Sequence, residues 1–326
     1  MKNASIEILT NIRPHPNADR LEIATVLGWQ CIVKKGEFHP GDRVVFVAPD
    51  TILPKADWSQ FLASKSNPER PIRLRTAKLR GEFSQGLVLP TPVLPEASRG
   101  WHEGADVGAE LGVKKYEKEL PACLSGVARA AFPHHLAPRT DEDNWQSVPD
   151  QTAKVIAGRC IATRKLDGSS GTIIVENGNI THVCSRKLDL EESEGNAFWR
   201  VARQLTNLAG RTFVLQGELM GPGIQGNQLE LSEPRLYAYQ LNSPGFGWFT
   251  HADMADFCAG IGCSVAPREF EGANFTTEFL QGYADALELR PGVPAEGIVV
   301  RPVFPVSMGN GRPLGVKFIN RNYRDE

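Results

Sequence analysis

The hydrophobic positions of this chain fall into two different rhythms. Up to about residue 120 they come as short apolar or alternating runs: Ile6-Glu7-Ile8-Leu9, residues 21–26, Cys31-Ile32-Val33 and Val44-Val45-Phe46-Val47. Runs of this length read as strands. Pro14, Pro16, Gly28, Gly36, Pro40 and Gly41 separate them. Many short strands at close spacing, with no long helical period, predict a small β-barrel. Residues 121–150 carry Pro121, Pro133, Pro138, Pro149 and the charge run Asp141-Glu142-Asp143 without sustained periodicity, and they read as a connector. From 151 to 326 the rhythm is mixed. Residues 172–175, 212–215 and 297–300 read as strands. Residues 196–208 predict a helix with Phe198, Val201, Ala202 and Leu205 on one face, and 250–261 and 276–287 predict two more. Strands and helices without regular alternation predict an α+β domain at 151–326.

Composition narrows the class. A length of 326 residues suits about two domains. With 41% hydrophobic and 23% charged residues the chain can bury a core, which excludes a disordered tail protein. No apolar run approaches a membrane span, and the first residues have no apolar signal core. The six cysteines are scattered, with no ligand spacing for zinc, and imply reduced, mostly buried thiols and a cytoplasmic protein. The 36 basic residues against 38 acidic ones argue against coating nucleic acid by bulk charge. A local groove is another matter. Arg70, Arg73, Arg75, Lys78 and Arg80 fall together with no acid between them, with Arg73 and Arg75 expected on one strand face. A phosphate-binding stripe and a solvated barrel edge are both open readings of this cluster.

The candidate chemistry lies in the second half. Lys165-Leu166-Asp167-Gly168 sits between two apolar runs, at an expected turn between strands. Downstream come Gln216-Gly217-Glu218, the aromatic strand Tyr237-Ala238-Tyr239, Glu296-Gly297 opening a strand, and Lys317 inside Val316-Lys317-Phe318. The charged members stand at the ends or middles of apolar strands, where a charge needs a partner or a ligand.

In this order, Lys, Glu, aromatic, Glu, Lys, these motifs resemble those of the covalent nucleotidyltransferases, the superfamily of ATP-dependent ligases and capping enzymes. The resemblance implies ATP as cofactor, a lysyl-AMP intermediate on Lys165, and Mg²⁺ (or Mn²⁺) held by Glu218 and Glu296. It also implies nucleotide contacts from Asp167, Gly168, Arg186 and Lys317, with Tyr237 or Tyr239 stacked on the adenine and Glu218 alternatively on the ribose. Two departures stand out: Arg164 precedes the lysine where many relatives carry Glu, and the last motif has one lysine rather than two. A free lysine is neutral in fewer than about one molecule in a thousand at pH 7, so such a nucleophile must be stripped of its proton by nearby cations or desolvation.

The first half also carries a resemblance. His15-Pro16-Asn17-Ala18-Asp19-Arg20-Leu21-Glu22, Trp29, Lys34-Lys35-Gly36, Gly41-Asp42-Arg43 and Ser84-Gln85-Gly86-Leu87 resemble the OB-fold module of tRNA-binding proteins, expected here over residues 1–120. An OB module in front, with nine residues after Lys317, resembles the nick-sealing RNA ligases of the Deinococcus type. His134-His135-Leu136-Ala137-Pro138-Arg139 is similar to the segment before their catalytic domain, with Asn144 where they often have Arg. The resemblance implies a monomeric RNA ligase acting in RNA repair on nicked duplex RNA or an RNA/DNA hybrid, away from membranes. A DNA ligase of the same superfamily, or a non-catalytic RNA-binding OB protein, are the alternatives.

Overall fold

A computed structural model describes residues 2–63, 71–116, 128–139 and 141–323. The chain separates into two compact units, Met1–Lys118 and Glu119–Glu326.

The first unit is built almost wholly of short strands. Ala4–Ile8, Arg43–Val47 and Leu87–Pro90 form one antiparallel sheet with Arg43–Val47 in the middle. Asn11–Pro14, Leu21–Val26 and Trp29–Lys34 form a second, and Lys114–Lys115, Thr51–Leu53 and Ile72–Leu74 a third. Successive side chains of a strand point to opposite faces. The run Val44-Val45-Phe46-Val47 uses this fully. Val44 and Phe46 enter a core with Trp29, Cys31 and Val26, while Val45 and Val47 enter a second with Ile6, Leu53 and Leu74. Both faces are buried, which is why the segment is continuously apolar rather than alternating. The His15 motif is scaffold. His15 Nδ1 accepts from the Asn17 amide at 3.0 Å, its Nε2 lies 3.1 Å from the Leu79 carbonyl, and Asn17 donates to the Arg80 carbonyl at 2.9 Å. These bonds tie the loop to the hairpin Ala77–Leu79 and Glu82–Ser84.

The second unit holds two sheets. The larger has eight strands; its centre runs Asn179–Cys184, Ser169–Glu176, Phe213–Met220 and Arg235–Ser243, all antiparallel. Helices Ala197–Ala202 and His251–Ile261 cover one face through Phe198, Val201, Met254 and Cys258. The smaller has five strands, in the order Asp143–Asn144, Val316–Ile319, Gly297–Pro302, Cys160–Lys165 and Arg268–Gly272. Helices Pro149–Ile156 and Thr277–Ala286 cover it through Val155, Leu280 and Ala284. The helix at 196–208 is shorter than its periodicity suggested, ending at Ala202. Leu205 still packs on the core, but from the turn that follows. Asn196, Thr250 and Thr276 cap their helices, each accepting a backbone amide of the first turn.

Where it is described, the stretch 121–150, expected to be a connector, carries short elements. Ala128–Ala131 pairs with Leu188–Leu190, Asp143–Asn144 pairs with Val316–Ile319, and residue 149 opens a helix. Pro133 and Pro138 stand between these short elements and so hid them. Lys165 stands between two strands, as expected, and the two belong to different sheets. It ends a strand of the small sheet, and the chain crosses through Leu166-Asp167-Gly168 to Ser169–Glu176 of the large sheet.

Gly168 makes that crossing possible. A Cβ there would overlap the Leu219 carbonyl oxygen and the Met220 sulfur. Gly168→Ala is expected to cost about 1–3 kcal/mol through overpacking against backbone. Gly158→Ala, with nothing within 4 Å of its Cβ, should be neutral or slightly stabilising. Urea unfolding of both variants measures the contrast.

Candidate active site

The two sheets turn their uncovered faces to one cleft. On the small sheet, Cys160 and Ala162 point into the core under the helices, as do Ile298, Val300, Val316 and Phe318. By the period of two, Thr163, Lys165, Val299 and Lys317 occupy the opposite face. On the large sheet, Ile173, Leu215, Leu219, Leu236 and Ala238 are core, leaving Ser170, Thr172, Gln216, Glu218 and Tyr237 on the opposite face.

Lys165 lies where the sheets meet. Its Nζ donates to Glu296 Oε2 at 2.8 Å, with the two side chains only 23% and 17% exposed. The strand pairing sets this contact: Lys165 stands opposite Gly297, so the residue before that glycine faces the lysine. Gly297 has φ +142°, and a Cβ on it would overlap the Phe318 carbonyl, which explains why Glu296 is followed by glycine. Glu218 reaches the same point from the other sheet and accepts the Gly168 amide at 3.0 Å. Asp167 accepts from the Tyr323 hydroxyl at 2.6 Å, and Tyr323 in turn accepts from Gln228 at 2.8 Å.

Three carboxylates around one buried ammonium shift every group concerned. Burial pushes Lys165 down, but attraction from Glu296, Glu218 and Asp167 outweighs it and holds the ammonium above the ordinary lysine range. Burial pushes Glu218 up to about 8, opposed by Lys165 and reinforced by Glu296. Glu296 is raised by burial, with Lys165 and then Lys317 among the charges that oppose it. The electrostatic influence of Lys317 on Glu296 places it at the same centre, on Val316–Ile319 beside Val299. Arg164 points the other way. It pairs with Glu269 at 2.6 Å, and Tyr283 of the helix Thr277–Ala286 donates to the same carboxylate at 2.8 Å. This buried latch anchors the strand behind the lysine.

The other predicted residues spread more widely. Tyr239 shares a hydrogen bond with Ser170 at 3.0 Å, on the cleft, and Tyr237 stands opposite Glu218. Arg186 pairs with Asp141 at 2.8 Å, both about half exposed. In the first unit, Arg73 is committed to Asp50 at 2.7 Å and lies over the Tyr116 ring at 3.7 Å, so it braces the third sheet. Its strand ends at Leu74, which leaves Arg75 beyond it rather than on a shared strand face. Lys78 and Arg80 are exposed on the hairpin, Lys78 over the Phe83 ring; Arg70 lies outside the described residues. The partners that sequence reasoning missed are Tyr323, Gln228, Glu269 and Tyr283. None forms a pattern with the lysine, because each arrives from a separate element.

Among the described residues no cluster of three or more His, Cys, Asp or Glu side chains is arranged to hold a metal ion. The donor set at Lys165 is instead carboxylate oxygen from Glu218 and Glu296. That suits Mg²⁺, which takes one or two carboxylates together with substrate phosphate and water.

An OB-fold domain family matches residues 3–91, and the RNA ligase family matches residues 158–315. No curated protein matches the sequence. Among solved structures, the Naegleria gruberi RNA ligase with PPi is 30% identical over 98% of this chain and 97% of its own, with a TM-score of 0.83. A lysine-to-methionine variant of that ligase with AMP and Mn is also 30% identical over the same shares, at 0.84. A glutamate-to-alanine variant with ATP and Mn reaches 31% and 0.84. The 30% identity over nearly the whole length of both chains, with the family match at residues 158–315, identifies the chain as a member of the RNA ligase family.

Proposed function

We propose that the protein is an ATP-dependent RNA ligase of the nick-sealing Deinococcus type, working through AMP bound covalently to Lys165. The observation that carries this reading is the Lys165–Glu296 pair, set beside Glu218 and Asp167 where the two sheets meet. The Naegleria gruberi ligase, solved with AMP or ATP and Mn and with PPi, supports the choice of nucleotide and divalent cation.

In the first step Lys165 Nζ attacks the α-phosphorus of ATP. The ammonium first gives up one proton; then a P–N bond forms, the bond to the β-phosphate oxygen breaks, pyrophosphate leaves, and the nitrogen releases a second proton, both protons going to solvent. The difficulty is the first proton, because Glu296, Glu218 and Asp167 all favour the ammonium. A divalent cation held by Glu218 and Glu296 supplies positive charge that offsets these carboxylates and the phosphate oxygens. Lys317, paired with Val299 on the neighbouring strand, adds a fixed charge of the same sign. Asp167 keeps its place through Tyr323, and the crossing segment carries Lys165 between two rigid strands, which holds the nucleophile in register.

In the second step a 5′-phosphate oxygen displaces the lysine and AMP passes to the strand end as A(5′)pp(5′)N. In the third, a 3′-hydroxyl attacks that 5′-phosphorus, forms the phosphodiester and releases AMP. The substrate is nicked duplex RNA or an RNA/DNA hybrid with RNA on the 3′-hydroxyl side, read through the 2′-hydroxyl and A-form shape. The OB module, residues 1–120, grips this duplex through Arg75, Lys78 and Arg80, and the ligase domain, residues 151–326, performs the chemistry. Arg186 serves the nucleotide, and Tyr237 or Tyr239 stacks on the adenine. The protein acts as a cytoplasmic monomer. The unbridged thiols Cys31, Cys160, Cys184, Cys258 and Cys263 support that setting. No described helix is long and apolar enough to cross a membrane.

Incubation with α-labelled ATP and Mg²⁺ should attach one AMP to the peptide containing Lys165, and Lys165→Ala should abolish the label. A label that survives that substitution would sink the reading. Glu296→Ala is expected to slow labelling about 100-fold or more, the scale of one lost electrostatic contact at a reacting centre; an unchanged rate removes Glu296 from the metal and nucleotide site. Deleting residues 1–120 should leave labelling of Lys165 largely intact and weaken nick sealing. If the shortened protein seals as well as the full chain, the OB module is not the duplex clamp. A nick with an all-DNA 3′ side sealed as fast as one with a 3′ ribonucleotide would favour a DNA ligase.

A further inference from the structure

Away from the cleft, the helix His251–Ile261 packs on the large sheet and ends in a tight reversal. Gly262 takes the left-handed conformation there, with φ +75°. Its amide donates to the Ala259 carbonyl at 3.3 Å, and the Cys263 amide donates to the Cys258 carbonyl at 2.8 Å. Two bonds of this pattern around a left-handed glycine bring the side chains before and after the reversal into contact. In this protein both of those side chains are cysteines.

The reversal fixes how far apart they stand. With the Cys263 nitrogen 2.8 Å from the Cys258 oxygen, standard bond lengths keep the two Cα atoms within about 6.7 Å of each other. A disulfide joins Cα atoms about 4.4–6.8 Å apart. The sulfurs also face one another, because the Cys258 thiol donates a hydrogen bond to Cys263 Sγ. Both thiols are unbridged in this structure.

The two differ in setting. Cys258 is fully buried in the core beneath the large sheet, whereas Cys263 is half-buried at its margin. The hydrogen bond from Cys258 holds the Cys263 thiol below its ordinary range against the effect of burial, and the Ala238 amide adds to this. The same bond, together with burial, raises Cys258. A reachable sulfur that ionises readily, beside a buried one that does not, suits one thiol to be oxidised and the other to resolve it. The strand that follows Cys263, Ser264–Val265, pairs with Tyr237 and Ala238. A bond between the cysteines therefore joins a helix end to an edge of the sheet.

We infer that Cys258 and Cys263 are a redox-active pair that a small hydroperoxide closes to a disulfide, stapling the helix His251–Ile261 to the edge strand Ser264–Val265. Cys263 first gives up its proton, and its sulfur attacks one peroxide oxygen. An S–O bond forms, the O–O bond breaks, and the departing hydroxide takes up the proton as water. The Cys258 sulfur then attacks the Cys263 sulfur. The S–S bond forms, the S–O bond breaks, and the hydroxide leaves with the Cys258 proton as a second water. The two sulfurs lose two electrons between them, and the peroxide gains both.

The test treats the full-length folded protein with hydrogen peroxide, then unfolds it, alkylates the remaining thiols and digests it with trypsin. Residues 236–268 form one tryptic peptide that carries these two cysteines and no other. Expected is a loss of two hydrogen atoms from that peptide with no alkylation, and two alkylated thiols again when dithiothreitol precedes the alkylation. The oxidised protein should also unfold at a higher urea concentration than the reduced one, because the bond restricts the unfolded chain. Cys263→Ser should show neither change. A peptide that keeps both thiols after peroxide overturns the inference. So does Cys263 carrying two or three oxygens beside an alkylated Cys258, which marks a single reactive thiol with no resolving partner. A disulfide between two copies of the chain overturns it as well. An unchanged urea midpoint in protein whose peptide is closed overturns the staple. These comparisons use the natural protein, so none depends on a variant folding.

Discussion

The site depends on one ammonium held among carboxylates in a place poor in water. Lys165 is mostly buried, and burial alone would neutralise it. Glu296 at 2.8 Å, with Glu218 and Asp167 behind it, reverses that tendency and keeps the charge. The same crowding raises Glu218 and Glu296. Lys165 stabilises the charge on both glutamates and they stabilise its own, while the carboxylates repel one another. A buried charge that lost its partners would face the full penalty of desolvation. The pair locks Lys165 in position and holds it as an ammonium.

Two sheets are needed to make this arrangement. Lys165 and Glu296 belong to neighbouring strands of the small sheet, and strand register alone brings them together. Glu218 belongs to the large sheet and arrives because the chain crosses at Leu166-Asp167-Gly168, where the Gly168 amide meets its carboxylate. The glycines of the two motifs have steric causes. At Gly168 and at Gly297 a neighbouring carbonyl occupies the space a side chain would need. Outside the cleft, Arg164, Glu269 and Tyr283 clamp the strand that carries Lys165 to a helix, so the residue beside the lysine serves the scaffold.

The first unit divides its polar residues in a similar way. His15 and Asn17 hold a hairpin through backbone groups, and Arg73 is occupied by Asp50 and Tyr116. Part of what looked like a basic stripe is internal bracing. The bases that project, Lys78 and Arg80, do so from the hairpin that the histidine loop secures.

The sequence by itself determined the strand-rich first half, the α+β second half and the ordered set of charged residues at strand ends. Periodicity of two and apolar run length are local properties, and so are helix caps such as Thr250 and Thr276. The same holds for Lys165, Glu218, Glu296 and Lys317, each visible as a charge embedded in an apolar run. Only the tertiary structure decided which of these meet. Tyr323 and Gln228 reach Asp167 from distant parts of the chain and leave no spacing to read. The paired elements within 128–150 were hidden because strands of two to four residues fall below any detectable period. Local pattern follows from each residue's neighbours in sequence. Contact, register and burial follow from neighbours in space, and the balance of charge around Lys165 exists only once those are set.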